Sequence, residues 1–261
     1  MPDAMPADVP LDLLQRHIGT ITAHRPPHAG YMSDLLLFVD TDAQRYFVKG
    51  QRNRPGGRLD SLKREEAINP FVRPVAPSLR QRIEDADWYI LVFDAVEGRH
   101  ASFLPGSSDL PAVAGALDRV GSIRAPEVAK DWTEHRWDRF SDTPELFRGD
   151  ALLYTDINED NVLIGADVHL VDWAWPTLGA GFIDPALLVI QLIAAGHAAA
   201  DAEAVVAECR QWRSADPPAI DAFCAANVRM WGARQERSSA AWFGVMLDAC
   251  RVWAKHRGVA G

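Results

Sequence analysis

Cysteine is scarce. The chain has three, Cys209, Cys224 and Cys250, and no two of them form a C-x-x-C pair. All three fall in apolar, helix-like stretches, so small buried thiols in a reduced, cytoplasmic protein are expected. No cysteine has a second cysteine at zinc spacing, so a structural zinc site is not expected. Positive charge is also short: Lys+Arg number 27 against 36 Asp+Glu, for a formal net charge of −9. A nucleic-acid partner is therefore not expected, because no basic stripe would offset phosphate repulsion. Long hydrophobic runs are missing too. The longest, residues 185–200, is interrupted by Gln191, Gly196 and His197, so no membrane span is expected. The opening MPDAMPADVPLDLL lacks a basic n-region and an apolar h-region and does not read as a signal peptide. Neither G-x-G-x-x-G nor G-x-x-x-x-G-K-[ST] occurs. Internal repeats and low-complexity tracts are absent.

What is present is a sizeable core. Hydrophobic residues make up 48% of 261, enough for two lobes or one large domain. Residues 11–18 have helical apolar spacing after Pro10. Two strand-like runs follow, 34–39 and 45–49, joined by a hairpin-type connection. Residues 59–69 read as a short helix that stops before Pro70. A second strand pair spans 79–84 and 87–93. After Gly98 the character becomes helical. Ser107, Ser108 and Asp109 are placed to cap a helix through about residue 121, and Thr143-Pro144 to open another. From Asp184 onward the chain is helical and rich in Ala, Leu and Trp. The expected division is a β-rich unit at 1–93, a linker at 94–98 and a mainly helical unit at 99–261.

The chemistry is concentrated in YTDINEDNVLI at 154–164 and LVDW at 170–173. Asp156, Asn161 and Asp172 stand in a D-x4-N…D order, with apolar residues following Asn161 and preceding Asp172. In-line phosphoryl transfer needs positioning and charge neutralisation more than covalent chemistry. One carboxylate, Asp156, suits the orientation of a hydroxyl nucleophile and late removal of its proton. Asn161 and Asp172 offer hard oxygen ligands for Mg²⁺, whose other ligands come from phosphate and water. Lys49, ending the run RYFVK, can project from a strand toward α/β-phosphates. It needs a carboxylate to hold it, and Glu66 lies 17 residues on. Glu65 is the neighbouring alternative, since helix rotation decides which faces inward. The loop Gly30-Tyr-Met-Ser33 could offer backbone N–H groups and the Ser33 hydroxyl to a phosphate.

Together these residues resemble the aminoglycoside phosphotransferase (phosphotransferase enzyme) family, which has a protein-kinase-like fold. The family's segment H-G-D-L-x-x-x-N-(apolar)3, then (I/V)-D-W, becomes YTDINEDNVLI and VDW here. Phe47-Val-Lys49 resembles its lysine strand, and Arg64-Glu-Glu66-Ala67 its R-E-A helix. Gly181-Phe-Ile-Asp184-Pro resembles its G-x-x-D-P element, whose aspartate braces the catalytic loop rather than reacting. Residues 30–190 or so carry the likeness. Tyr154 stands where the family has histidine, and Asn158-Glu159 where His-Pro is common.

The resemblance implies an α+β, bilobal fold with a small β-rich N-lobe and a larger, mainly helical C-lobe. It implies ATP and Mg²⁺ as cofactors, with Asp156 as catalytic aspartate, Asn161 and Asp172 on the metal, and Lys49 with Glu66 on the nucleotide. Ser33 would meet phosphate, and hinge backbone at Asp94, Ala95 and Val96 would hydrogen-bond the adenine. The implied activity is transfer of the γ-phosphate to a hydroxyl of a small molecule, an aminoglycoside or another antibiotic or metabolite. The acceptor would sit between the catalytic loop and the C-terminal helices, where acidic residues would receive an amino-sugar. A protein substrate is disfavoured, because only eleven residues separate Asp172 from Asp184 and no A-P-E follows. The alternative is a nucleotide-binding pseudokinase or regulator without turnover. A carboxylate-based metallohydrolase would need a denser ligand set, and His169 is the one His near the motif. The sequence leaves the oligomeric state open.

Overall fold

The strand WYILVFD explains the architecture of the first unit, because every residue in it but the last is buried. A strand sends alternate side chains to opposite faces. Trp88, Ile90 and Val92 join one apolar cluster, with Leu35, Leu37, Val39, Val48, Leu13 and Leu14. Tyr89, Leu91 and Phe93 join a second, with Leu59 and Leu62. A strand apolar on both sides belongs inside a sheet covered on both faces.

The computed structural model describes residues 9–27, 33–238 and 240–260. They form two compact units. One runs up to Gly98 and also takes in Val171–Ala174; the other comprises Arg99–Leu170 and the chain from Trp175 onward. The first unit contains α1 (Leu11–Ile18), β1 (Ile21–Arg25), β2 (Leu35–Thr41), β3 (Arg45–Arg52), α2 (Gly57–Val72), β4 (Leu79–Glu84) and β5 (Trp88–Asp94). Its sheet has the order β1-β2-β3-β5-β4, with antiparallel neighbours throughout. Helix α1 brings Leu13 and Leu14 to one face, and α2 brings Leu59 and Leu62 to the other. Strand β1 is absent from the sequence expectation; its exposed, polar ITAHR gives no strand alternation.

Helix α2 does not stop before Pro70, as the sequence predicts, but runs through it to Val72. An interior proline costs ~3 kcal/mol. Burying one large aliphatic side chain returns about 1.5–3 kcal/mol. Ile68 and Val72, both fully buried, offset the loss. Asn69 seats the same turn from the side. Its Nδ2 donates to Pro77 O at 2.8 Å, and its Oδ1 accepts from Leu79 N at 2.8 Å.

The second unit contains β6 (Arg99–His100), α3 (Leu110–Gly121), β7 (Ala151–Leu153), β8 (Val162–Ile164), β9 (Val168–Leu170), β10 (Thr177–Gly179) and α4 (Ile183–Ala194). It continues with α5 (Ala199–Val206), α6 (Arg210–Arg213), α7 (Pro217–Gln235) and α8 (Ala241–Arg257). Two small sheets, β6-β8-β9 and β10-β7, carry the loops between them. Phe223 centres an aromatic cluster, 4.8 Å from Trp137, 5.5 Å from Phe147 and 5.8 Å from Phe182. Asp109 sits at the start of α3 but makes no side-chain cap bond. Its carboxylate instead accepts from Arg99 at 2.6 and 2.7 Å and from Ser102 N at 3.0 Å, which holds its pKa down to about 2. The Thr143-Pro144 start opens a single 3-10 turn, Pro144–Phe147, rather than an α-helix. All three cysteines are buried and free; burial pushes Cys209 up to about 11 and Cys224 up to about 12. No helix among the described residues is long and apolar enough to cross a membrane.

Candidate active site

In the first unit, strand alternation aims Lys49. Val48 belongs to the cluster under α1, so Phe47 and Lys49 share the other face, toward α2. Lys49 also lies opposite Leu91 of β5, which packs on that face. Its Nζ donates to Glu65 Oε2 at 2.8 Å and to Asp172 Oδ1 at 2.5 Å. Burial alone would lower this ammonium. Glu65 and then Asp172 outweigh it and hold the pKa above the ordinary lysine value. Burial likewise pushes Glu65 up, while Lys49 pulls it down. Lys49 is therefore an ammonium at neutral pH.

The carboxylate that holds Lys49 is Glu65, and not Glu66 as the family pattern implies. Residues Leu59, Leu62, Glu65, Ile68 and Val72 make the buried stripe of α2, and Glu66 lies one position off it. Glu66 accepts instead from the Tyr89 hydroxyl and lies 3.8 Å from Arg82 Nε. That bond and burial, the latter the larger effect, raise the Tyr89 phenol to about 12.

The remaining expectations in this unit fare differently. Gly30 lies outside the described residues. Ser33 sits just before β2, half-buried, and next to it Asp34 accepts from Arg52 N at 2.9 Å. At the 94–98 linker, Asp94 N donates to Ser78 O at 3.0 Å and Ala95 N to Arg45 O at 3.3 Å. The Asp94 carboxylate is clamped by Arg80 through two 2.7 Å bonds. Of these three residues, Val96 has the backbone N–H that is not engaged in this way.

In the second unit, Asp184 organises the segment that leads to Asp156. Its two oxygens accept from Tyr154 N at 2.7 Å and Thr155 N at 2.8 Å. Thr155 has φ +66°, a left-handed conformation that costs a branched residue free energy and needs such a brace. The Thr155 hydroxyl adds bonds to Tyr154 O at 2.7 Å and Trp175 O at 3.2 Å. Tyr154 is buried, so the phenol ring fills core where the family has histidine. Asp156 follows the turn and is exposed. Asn161 Nδ2 donates to Asp156 O at 3.0 Å and to Asp156 Oδ2 at 3.1 Å. Its own Oδ1 is thereby directed elsewhere, as a free amide oxygen must be to meet a hard cation. Asp172 likewise gives one oxygen to Lys49 and keeps a second. Taken separately, each residue offers one hard oxygen of the kind that Mg²⁺ takes alongside phosphate and water. Among the described residues, no group of three His, Cys, Asp or Glu is placed to hold a metal, so the denser set of a metallohydrolase is not found there.

Burial raises the Asp184 carboxyl to about 6, against the downward pull of its two N–H donors. Above its unfolded pKa the unfolded chain has released this proton while the fold retains it. Stability contributed by the group is therefore full at low pH and is lost as pH rises through about 6. The stability difference between wild type and Asp184→Asn should shift in that sense between about pH 4 and 6. Asp184→Ala should destabilise at all pH, by roughly 1–3 kcal/mol for each buried donor left without an acceptor. Urea unfolding across that pH range measures both. A pH-independent difference for Asp184→Asn would contradict the raised carboxyl.

Asp156 also lines a cleft of about 700 Å³ that lies wholly within the second unit. Its walls come from the 155–159 loop, Phe103, Arg136, Trp137 and Trp175, and from α4, α7 and α8. The carboxylates on it, Asp156 and Glu159, both belong to the loop, and Glu159 accepts from Phe103 N. The helices contribute none, contrary to the acidic wall expected for an amino-sugar. Sequence reading left open which tryptophans meet this space; Trp137, Trp175, Trp231 and Trp242 do. Only helix phase could have singled out Trp231, which stands four residues from α7's Asn227, buried against Trp137.

No protein-family model and no curated protein sequence matches the chain. Its fold, however, is one already seen: the α+β protein-kinase-like fold of small-molecule kinases. An aminoglycoside phosphotransferase from Alicyclobacillus acidocaldarius superposes with a TM-score of 0.67 at 13% identity, covering 98% of this chain and 95% of that one. A thermostable mutant of aminoglycoside phosphotransferase APH(4)-Ia gives 0.61 at 14% identity, over 94% and 98% of the two chains. Choline kinase LicA from Streptococcus pneumoniae gives 0.62 at 12% identity, over 94% and 99%.

Proposed function

We propose that the protein is an ATP- and Mg²⁺-dependent phosphotransferase acting on a hydroxyl of a small molecule, in the cytoplasm. The observation that carries this reading is the convergence of Lys49, Glu65 and Asp172. A strand lysine is held between a helix carboxylate and an aspartate 123 residues away in sequence. One carboxylate would compensate this largely buried ammonium; packing alone does not call for the second, whereas nucleotide phosphates need a fixed cation beside a metal ligand.

Each residue then has a task. Lys49 binds α/β-phosphate oxygens and Glu65 fixes its direction. Asn161 and Asp172 would hold Mg²⁺, which when bound neutralises triphosphate charge. Asn161 also orients Asp156 through its amide N–H. Asp156 positions the acceptor hydroxyl and takes its proton as the new O–P bond forms and the bond from Pγ to the bridging oxygen breaks. ADP leaves with the electrons of that bond. The backbone at Val96 receives the adenine, and Ser33 meets phosphate. The aminoglycoside and choline kinases of similar fold lend support to a small-molecule acceptor.

Release of ADP from ATP with Mg²⁺ across a panel of hydroxyl acceptors tests the reading. Acceptor-dependent release that stops on chelation of Mg²⁺ is expected. Nucleotide binding with no transfer to any acceptor would favour the pseudokinase instead.

A further inference from the structure

The cleft beside Asp156 has two kinds of surface, and their chemistry limits what can enter. One end is the catalytic loop, with its carboxylates. The facing helices present Trp231, Trp242, Val245 and Met246. Trp242 and Val245 are 54% and 49% exposed, so apolar surface stands open at this wall. Trp231 packs edge-on to Trp242 at 5.5 Å.

Arg234 is the charge on that helical wall. Its guanidinium lies 4.7 Å from the centre of the Trp231 ring. It forms no ion pair among the described residues. Arg136, also on the cleft, is already engaged by Glu134, with its Nε at 3.0 Å from each carboxylate oxygen. Burial, and after it repulsion from Arg136 and Arg139, lowers the pKa of Arg234. An arginine in this position lacks a counter-anion. Beside it, Trp231 Nε1–H is buried without an acceptor. Of these two donors Arg234 is the one exposed on the cleft wall, and a guanidinium without a carboxylate there is open to a ligand that brings an oxyanion.

Resting on the phosphotransferase reading of Asp156, we propose that the acceptor is an amphipathic hydroxyl compound carrying an oxyanion, with its apolar body on the α7–α8 tryptophan and methionine side chains and its oxyanion on Arg234. A carboxylate or a phosphate ester satisfies the same guanidinium. A polyamine or amino-sugar would instead bring cations to a wall that holds an uncompensated arginine and no carboxylate. Arg234 is thus the residue that sets specificity by charge, while the tryptophans give affinity without distinguishing charge.

The test uses four probes of one chain length and the full protein without nucleotide: ω-hydroxydodecanoate, ω-hydroxydodecyl phosphate, dodecanediol and ω-aminododecanol. Calorimetry should show the two oxyanions binding about tenfold or more tighter than the diol, and the amine weakest of all. The stronger of the two oxyanions identifies which one the wall prefers. Arg234→Ala should erase the preference and leave diol binding unchanged; Arg234→Lys should keep part of it. Trp242→Ala should weaken all four alike. Amine binding equal to carboxylate binding, a preference that survives Arg234→Ala, or no binding by any probe would each overturn the proposal. Because no turnover is required, the two readings fail separately. Charge preference without ADP release from any acceptor sinks the phosphotransferase reading alone. Phosphorylation of an amino-sugar by a protein that ignores the oxyanion probes sinks this one alone.

Discussion

Replacing Asp156 with Ala or Asn should lower kcat by about 1,000-fold or more while leaving ATP affinity nearly unchanged. General-base and positioning effects of this kind span roughly 100- to 10,000-fold. The upper part of that range applies here, because the carboxylate is exposed at the cleft and Asn161 Nδ2, at 3.1 Å, orients it. Asp156→Asn preserves shape and separates charge from volume. The loop should remain folded, since its backbone is held by Asp184 and by the Thr155 hydroxyl. Single-turnover kinetics with a true acceptor, beside nucleotide titration, measures the two quantities independently. Full activity in Asp156→Ala would remove the residue from its assigned role.

Replacing Asp172 should act earlier, on nucleotide binding itself. Asp172→Ala should weaken Mg²⁺-dependent ATP binding by about 100-fold or more, since losing a charged oxygen directed at a cation costs about 3 kcal/mol. Two effects must be separated. Asp172 has φ +59°, where Asp and Asn are tolerated better than Ala. Asp172→Asn keeps that backbone and removes only the charge, so it should show the binding loss with less change in thermal stability. Lys49 remains paired with Glu65 in both variants, so binding of ATP without metal should weaken far less. Nucleotide titrations at several Mg²⁺ concentrations decide the matter. An unchanged Mg²⁺ dependence would show that the metal is held elsewhere.

Much of this site was legible because short-range order encodes it. The D-x4-N…D spacing, the strand end at Lys49 and the G-x-x-D-P aspartate are local patterns, and the structure gives Asp184 its bracing bonds to Tyr154 and Thr155. The choice between Glu65 and Glu66 was harder. Both lie within four residues of Leu62, so either satisfies helical spacing; only Glu65 is also three from Ile68, the residue the core encloses completely. Pro70 misled for a related reason. Local propensity ends the helix there, whereas the burial of Ile68 and Val72 carries it on. The character of the cleft was not legible. It depends on which sides of α4, α7 and α8 meet, and those helices are apolar enough that sequence alone does not tell core tryptophan from wall tryptophan. Arg234 gave no signal among the chain's many arginines.

The membership of Val171–Ala174 in the first unit bears on how the protein is made. That unit is not a continuous stretch of chain: the residues that cover Lys49 and Glu65 arrive more than seventy positions after Gly98. On the ribosome, β1–β5 can pair early, yet the buried ion pair lacks Asp172 until that later segment emerges. The unit's interior charges therefore wait on synthesis of nearly half of the second unit. A fragment ending at Gly98 would carry the same open wound permanently, so the two units cannot be separated by a single cut.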